Sequence, residues 1–176
     1  MMAKAKARHI CIHSFDTILG PMRLGAVDDG LCLLDFVNSR KRPQVEARLM
    51  RHLGGGFREA AHPLLETARQ QLEEYFAAHR QTFDLPLRLI GTAFQQKVWR
   101  ALMKIPFGQS VSYATVARAI GRQRAVRAVA AANAANAISI IIPCHRVIAS
   151  GGGLGGYAGG LEAKRRLLAL EGSLVS

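Results

Sequence analysis

The sequence predicts an α/β protein with a strand-bearing first half and a mainly helical, basic second half. Three observations lead there. Two β-rich runs, residues 10–15 and 22–36, come first. From residue 92 onward, capping residues and glycine stops mark a series of short helices. The net charge of +12 is also divided unevenly: residues 1–90 hold 13 Lys/Arg against 10 Asp/Glu, and residues 91–176 hold 11 against only Glu162 and Glu171. Eighty-six residues with two acids carry the electrostatic footprint of a polyanion binder. We therefore expect two domains, residues 1–88 and 89–176.

In the first half, Asp28-Asp29-Gly30 breaks the second β-rich run, and Asp-Gly between apolar stretches signals a hairpin. Residues 38–43 read as a basic, polar loop. Residues 45–53 form a short helix that Gly54-Gly55-Gly56 ends. Pro63 opens a longer helix with Leu64, Leu65, Ala68, Leu72, Tyr75 and Phe76 on one face. Residues 83–89 read as another strand, placed at an edge by Pro86, which has no amide hydrogen for a ladder.

In the second half, Thr92 caps a helix carrying Phe94, Val98, Ala101 and Leu102 inward, and Ile105-Pro106-Phe107-Gly108 turns the chain. Ser112 caps a helix over residues 113–120, closed by Gly121, and a second helix follows over about 125–133. Two short helices around a tight glycine turn in the basic half read as a helix-turn-helix. On the second helix Val126 and Val129 share an inward face, while Arg127, Ala130, Ala131 and Ala134 share another. Spacing alone leaves that face balanced between a surface for a groove and an Ala-rich packing face. Residues 151–160 are too glycine-rich for a regular element. In the last helix, residues 161–170, Leu161, Leu167, Leu168 and Leu170 are expected to pack and Lys164, Arg165 and Arg166 to be exposed. Glu171 closes that helix, where a carboxylate opposes the dipole; pairing with a buried imidazole would explain it.

At 49% hydrophobic content the chain can bury a core. Three cysteines are too few and too odd in number for a disulfide framework, which points to a reducing, cytoplasmic compartment. Residues 1–8 are basic, but residues 9–13 are too short and too polar for a signal-peptide core. No run approaches the roughly 20 apolar residues of a membrane span. Cys11, Cys32, His9 and His13 lack the paired spacing of a zinc site, so no metal and no cofactor is expected.

The chemistry gathers at Cys144. Residues 138–142 read as a buried β-branched strand that Pro143 ends, presenting Cys144 at its edge beside His145 and Arg146. A thiol with a pKa near ~8.5 becomes a better nucleophile beside a base or a cation. Neighbours in extended chain point apart, so His145 would reach the sulfur through a bend or a water. An isolated cysteine is more often a small buried hydrophobe, but its setting is more specific. Pro143-Cys144-His145-Arg146-Val147, with Asn136 before it and Gly155-Gly156-Tyr157-Ala158-Gly159-Gly160-Leu161 after it, resembles the active site of the O6-alkylguanine-DNA alkyltransferases (methylated-DNA–protein-cysteine methyltransferases). The likeness includes Gly91-Thr92-Ala93-Phe94-Gln95-Gln96-Lys97-Val98-Trp99, Ile105-Pro106-Phe107-Gly108, Val111-Ser112-Tyr113 and Leu168-Ala169-Leu170-Glu171-Gly172.

That resemblance implies a ribonuclease-H-like N-terminal domain without catalytic duty and a winged-helix-like DNA-binding domain. It implies repair of O6-alkylguanine in double-stranded DNA by single-turnover transfer to Cys144 after base flipping, with O4-alkylthymine left open. His145, oriented by Glu171, would take the thiol proton; Tyr113 would donate toward guanine N3, and Asn136 would brace the turn and the sulfur. Arg127 would fill the stack, Arg124, Val126, Ala130, Ala131 and Ala134 would meet DNA, and Val147, Tyr157 and Ala158 would wall the base pocket. A monomer, nucleoid-associated when bound to DNA, is expected. Ala137 and Ser139 stand where many relatives carry proline, Ala130 where many carry glycine, and Ala134 where some carry a basic residue. A non-catalytic helix-turn-helix lesion sensor or regulator and a Cys-His-Glu hydrolase are the competing readings.

Overall fold

The computed structural model describes residues 9–173; the basic residues 1–8 lie outside them. Three antiparallel strands open the chain: β1 (Ile10–Thr17), β2 (Gly20–Val27) and β3 (Gly30–Phe36). The expected hairpin pairs Val27 with Gly30. After helix α1 (Arg42–Leu53), which stops at Gly54 in a left-handed conformation, the short β4 (Phe57–Glu59) adds parallel to β1. The sheet order is β3-β2-β1-β4. The sequence reading missed β4, which at three residues is too short for any alternation to register.

Helix α2 (Pro63–Phe76) packs on β2 and β3, burying Leu65, Ala68, Leu72 and Tyr75. The outer edge of β3 is then closed by chain from elsewhere. Leu31 donates to Pro86 O and accepts from Arg88 N, both at 2.8 Å. Leu34 donates to Ala137 O at 2.9 Å and accepts from Ser139 N at 2.8 Å. Residues three apart can both face one edge because the ladder slips here: Ala26 pairs with Leu31 and Gly25 with Leu33, leaving Cys32 as a bulge.

Two expected strands are therefore corrected. Residues 83–89 make only the single Leu87 bridge, since Pro86 offers a carbonyl but no amide. Residues 138–142 are buried as expected but form turns after one bridge from Ile138. Asn136 imposes this: Ile138 N donates to its Oδ1 at 2.9 Å, and its Nδ2 donates to Ile142 O at 2.9 Å. Ile140 is thereby held at φ 71°, a conformation a β-branched residue rarely adopts.

The second half begins with α3 (Ala93–Leu102), whose Thr92 and Gln95 form a full capping box. Strand β5 (Val111–Ser112), helix α4 (Tyr113–Ala119) capped by Ser112, and α5 (Val126–Ala134) follow. Strand β6 (Val147–Ile148) lies parallel to β5, and α6 (Gly160–Leu170) closes the fold. One apolar core runs through both halves. Arg48 of α1 reaches across it, stacking 5.4 Å over Trp99 and donating to Ala135 O at 2.7 Å just past α5.

Candidate active site

Because the chain turns after Ile138, Cys144 begins a single 3-10 turn, Cys144–Arg146, instead of standing at a strand edge. The residue is 4% exposed and lines a cavity of about 830 Å³. Tyr113, Asn133, Asn136, Tyr157 and Ala158 share that cavity. Two glycines, one on its wall and one behind Tyr113, give its lining room. A Cβ at Gly159 would sit 2.5 Å from the Phe36 ring, and Gly155, at φ +71°, would bring one within 2.9 Å of the Tyr113 hydroxyl.

The turn sends His145 inward, fully buried, where its Nε2 donates to Glu171 Oε1 at 2.8 Å. Glu171 caps the C-terminus of α6, so its unfavourable place on the helix dipole is answered by the imidazole. His145 Nδ1 has no hydrogen-bond partner among the described residues, which leaves it as the atom free to take a proton. Arg146 does not serve the thiol. It grips Glu171 with Nε on Oε2 and Nη2 on Oε1, both at 2.9 Å, while Nη1 donates to Ile105 O at 2.6 Å. Burial pushes the Glu171 carboxyl up, but the donors from His145, Arg146 and Tyr75 outweigh it and hold the group down to about 2.

Burial also sets the other two groups. It raises the Cys144 thiol above its ordinary value, against the opposing pull of the Asn136 amide and the Lys164 ammonium. It lowers His145, against the pull of Glu171. At neutral pH the pair rests as thiol and neutral imidazole, so the proton moves during attack rather than before it. Burial raises Tyr113 as well, which keeps its hydroxyl a donor.

Comparison with known proteins bears on this geometry. Residues 10–89 match the family described as 6-O-methylguanine DNA methyltransferase, ribonuclease-like domain, and residues 93–173 match its DNA binding domain. A methylated-DNA–protein-cysteine methyltransferase of Methanosarcina barkeri is 46% identical over 153 residues, 87% of this chain and 91% of that one. The chain belongs to the 6-O-methylguanine DNA methyltransferase family. The constitutive methylated-DNA–protein-cysteine methyltransferase of Bacillus subtilis is 56% identical over 110 residues, 62% of this chain and 67% of that one. Among solved structures, Mycobacterium tuberculosis OGT in complex with DNA superposes with a TM-score of 0.79 at 39% identity, covering 94% of this chain and 93% of that one.

In this methyltransferase the helix-turn-helix is α4 and α5, joined at Gly121 with φ +71°. Arg124, Arg127, Ala131 and Ala134 are exposed and Ala130 half-buried, while Val129 is buried and Val126 half-buried at the helix start. Ala130 and Ala134 also border the Cys144 cavity, which joins the outer helix face to the pocket. Tyr157 and Ala158 line the pocket, but Val147 does not: it is fully buried, and its carbonyl accepts from Lys164 Nζ at 2.7 Å.

Lys164 reverses an expectation, being wholly buried while Arg165 and Arg166 are exposed. Its spacing to Leu167, Leu168 and Glu171, at i, i+3, i+4 and i+7, was the signal that could have placed it inward. Burial lowers its ammonium to about 8, opposed by the field of Cys144. Leu161, expected to pack, is 51% exposed in the first turn of α6. Asn133 also went unread; its Nδ2 donates to Cys144 O at 3.4 Å. So did the first half's share of the pocket, where Pro21, Phe36 and residues 38–41 line the same cavity as Cys144. Neither left a local signal, since both depend on how the two halves meet.

Proposed function

We propose that this protein repairs O6-alkylguanine in duplex DNA by one irreversible transfer of the alkyl group to Cys144. The observation that carries the reading is a buried thiol on the wall of a cavity that opens beside α5, followed in one turn by an imidazole that a buried carboxylate orients. A lesion inside a duplex must be swung out of the stack to reach that wall, and Arg127 on the exposed face of α5 takes its place there. Sγ attacks the alkyl carbon, the carbon–O6 bond breaks, and its electron pair stays on guanine. His145 Nδ1 takes the thiol proton through a water, and the restored guanine, still in its strand, is protonated at N1 from solvent. Tyr113 donates a hydrogen bond to N3 as charge builds there. Asn136 holds the turn that presents the sulfur. The thioether has no easy leaving route, so each protein acts once, as a monomer in a reducing cytoplasmic compartment.

Intact-protein mass after incubation with duplex DNA carrying one O6-methylguanine tests this. A gain of one methyl that saturates at one per protein and is absent in Cys144→Ser is the expected result. Tight DNA binding with no gain would leave a lesion sensor instead, and multiple turnover on an ester or amide would leave a hydrolase.

A further inference from the structure

We infer that Tyr75, on a helix of the first half, is a positioning residue for alkyl transfer: it sets how strongly Glu171 holds His145. The inference rests on the alkyl-transfer reading above. Tyr75 Oη donates to Glu171 Oε1 at 2.7 Å across 96 residues of sequence. The same oxygen accepts His145 Nε2 at 2.8 Å and Arg146 Nη2 at 2.9 Å. A carboxylate oxygen has two in-plane lone pairs, so three donors on Oε1 compete for its charge. A hydroxyl on the oxygen that orients the imidazole therefore weakens that oxygen's pull on the imidazolium.

The surroundings make the bond matter. Tyr75 is fully buried, with ring centres of Phe76, Phe83 and Phe107 at 5.6, 5.4 and 6.2 Å. Phe107 also lies 5.9 Å beneath the Arg146 guanidinium. This apolar wall keeps water from substituting for the hydroxyl, and in low dielectric each donor on Glu171 counts for more than in water. Among the described residues, the groups that act on His145 are Glu171 and Lys164 from α6, Arg146 from its own turn, Tyr157 from the glycine-rich loop and, through Glu171, Tyr75 from α2; the backbone of His145 in turn donates toward the Cys144 thiol. Of these, Tyr75 is the member supplied by the first half.

Removing the hydroxyl concentrates charge on Oε1, strengthens its bond to His145 and favours the protonated imidazole. His145 must be neutral to accept the thiol proton, so the acid limb of the rate moves to higher pH. The experiment is single-turnover methyl transfer from an O6-methylguanine duplex, followed by intact mass from pH 5 to 9, for wild type, Tyr75→Phe and Phe83→Leu. Tyr75→Phe should shift the acid limb upward by about half to one pH unit, slowing transfer about three- to tenfold on the limb, with an unchanged Kd for the duplex. Phe83→Leu disturbs the ring packing but keeps the hydroxyl, and should lower Tm while leaving the limb in place. An unmoved limb in Tyr75→Phe, or an equal shift in Phe83→Leu, overturns the inference. Absence of methyl uptake by the wild type would instead overturn the alkyl-transfer reading, and this inference with it.

Discussion

Each half of the chain buries an arginine on a carboxylate, and the two pairs are tuned in opposite directions. In the sheet, Arg23 on β2 donates to Asp35 on β3, with Nε to Oδ1 at 3.3 Å and Nη2 to Oδ2 at 3.1 Å. Burial outweighs those bonds, and the Asp35 carboxyl is raised. At the active site Glu171 is buried as well, yet it is held down to about 2, because His145 and Tyr75 add their donors to the fork of Arg146. The number of donors, not the presence of an arginine, decides whether a buried carboxylate stays a firm anion. A firm anion is what an imidazole needs if it is to take a proton without passing it on.

Glu171→Gln should give the largest effect. It leaves the Arg146 guanidinium buried without its counter-ion, and breaking such a pair costs about 3–5 kcal/mol of stability. It also frees the imidazole to rotate, and losing an oriented general base slows transfer about 10²-fold or more. Chemical denaturation and single-turnover methyl transfer on the folded fraction measure the two losses. Asp35→Asn should cost about 1–3 kcal/mol, since Arg23 keeps Glu46 at 2.7 Å, and should leave the transfer rate of the folded protein unchanged. A large rate loss in Asp35→Asn would break the contrast between a structural and a functional pair.

Acid titration of stability sharpens it further. Glu171 has a folded pKa of about 2, below the unfolded value near ~4.3, so its contribution is complete above that value and is lost as pH falls toward 2. Asp35 has its folded pKa raised, so its contribution grows as pH falls through that value. The stability gap between wild type and Glu171→Gln should therefore narrow below pH 4, whereas the gap to Asp35→Asn should widen as pH falls from the raised Asp35 value toward the unfolded value near ~3.9 and stay level below it. Parallel curves for the two variants would show that the carboxylates are not set apart.

The same division explains what could be read from the sequence. Signals that act within a few residues were legible: the Asp-Gly hairpin, the caps at Thr92 and Ser112, the stop at Gly121, and the odd placing of Glu171. The place of Glu171 called for a buried imidazole, the family resemblance implied that it is His145, and the geometry brings the two together. Residues 138–142 misled because β-branched composition favours a strand, whereas Asn136 ties both ends of the segment into turns. Lys164 misled because charge suggested exposure, while the carbonyl of Val147, unread in the sequence, made burial tolerable. Tyr75 was read correctly as buried. Its partner lies 96 residues away, and nothing in its own helix distinguishes its hydroxyl from an idle one.

The arginines of the helix-turn-helix supply the smallest effects. Arg124 and Arg127 are exposed and pair with no carboxylate among the described residues, unlike Arg23 and Arg146. An arginine without a carboxylate is available to a phosphate or to the space left by a flipped base. Arg127→Ala should slow transfer from a duplex about tenfold or more, because the cost of flipping is no longer offset, yet barely alter transfer from a single strand with the same lesion. Arg124→Ala should leave both rates near wild type at saturating DNA. Its mark should be on binding: one phosphate fewer lowers the slope of log K against log salt by about 0.9. If Arg124→Ala slowed the duplex reaction as much as Arg127→Ala does, the two would act as one basic patch, and the special place of Arg127 in the flipping step would be lost.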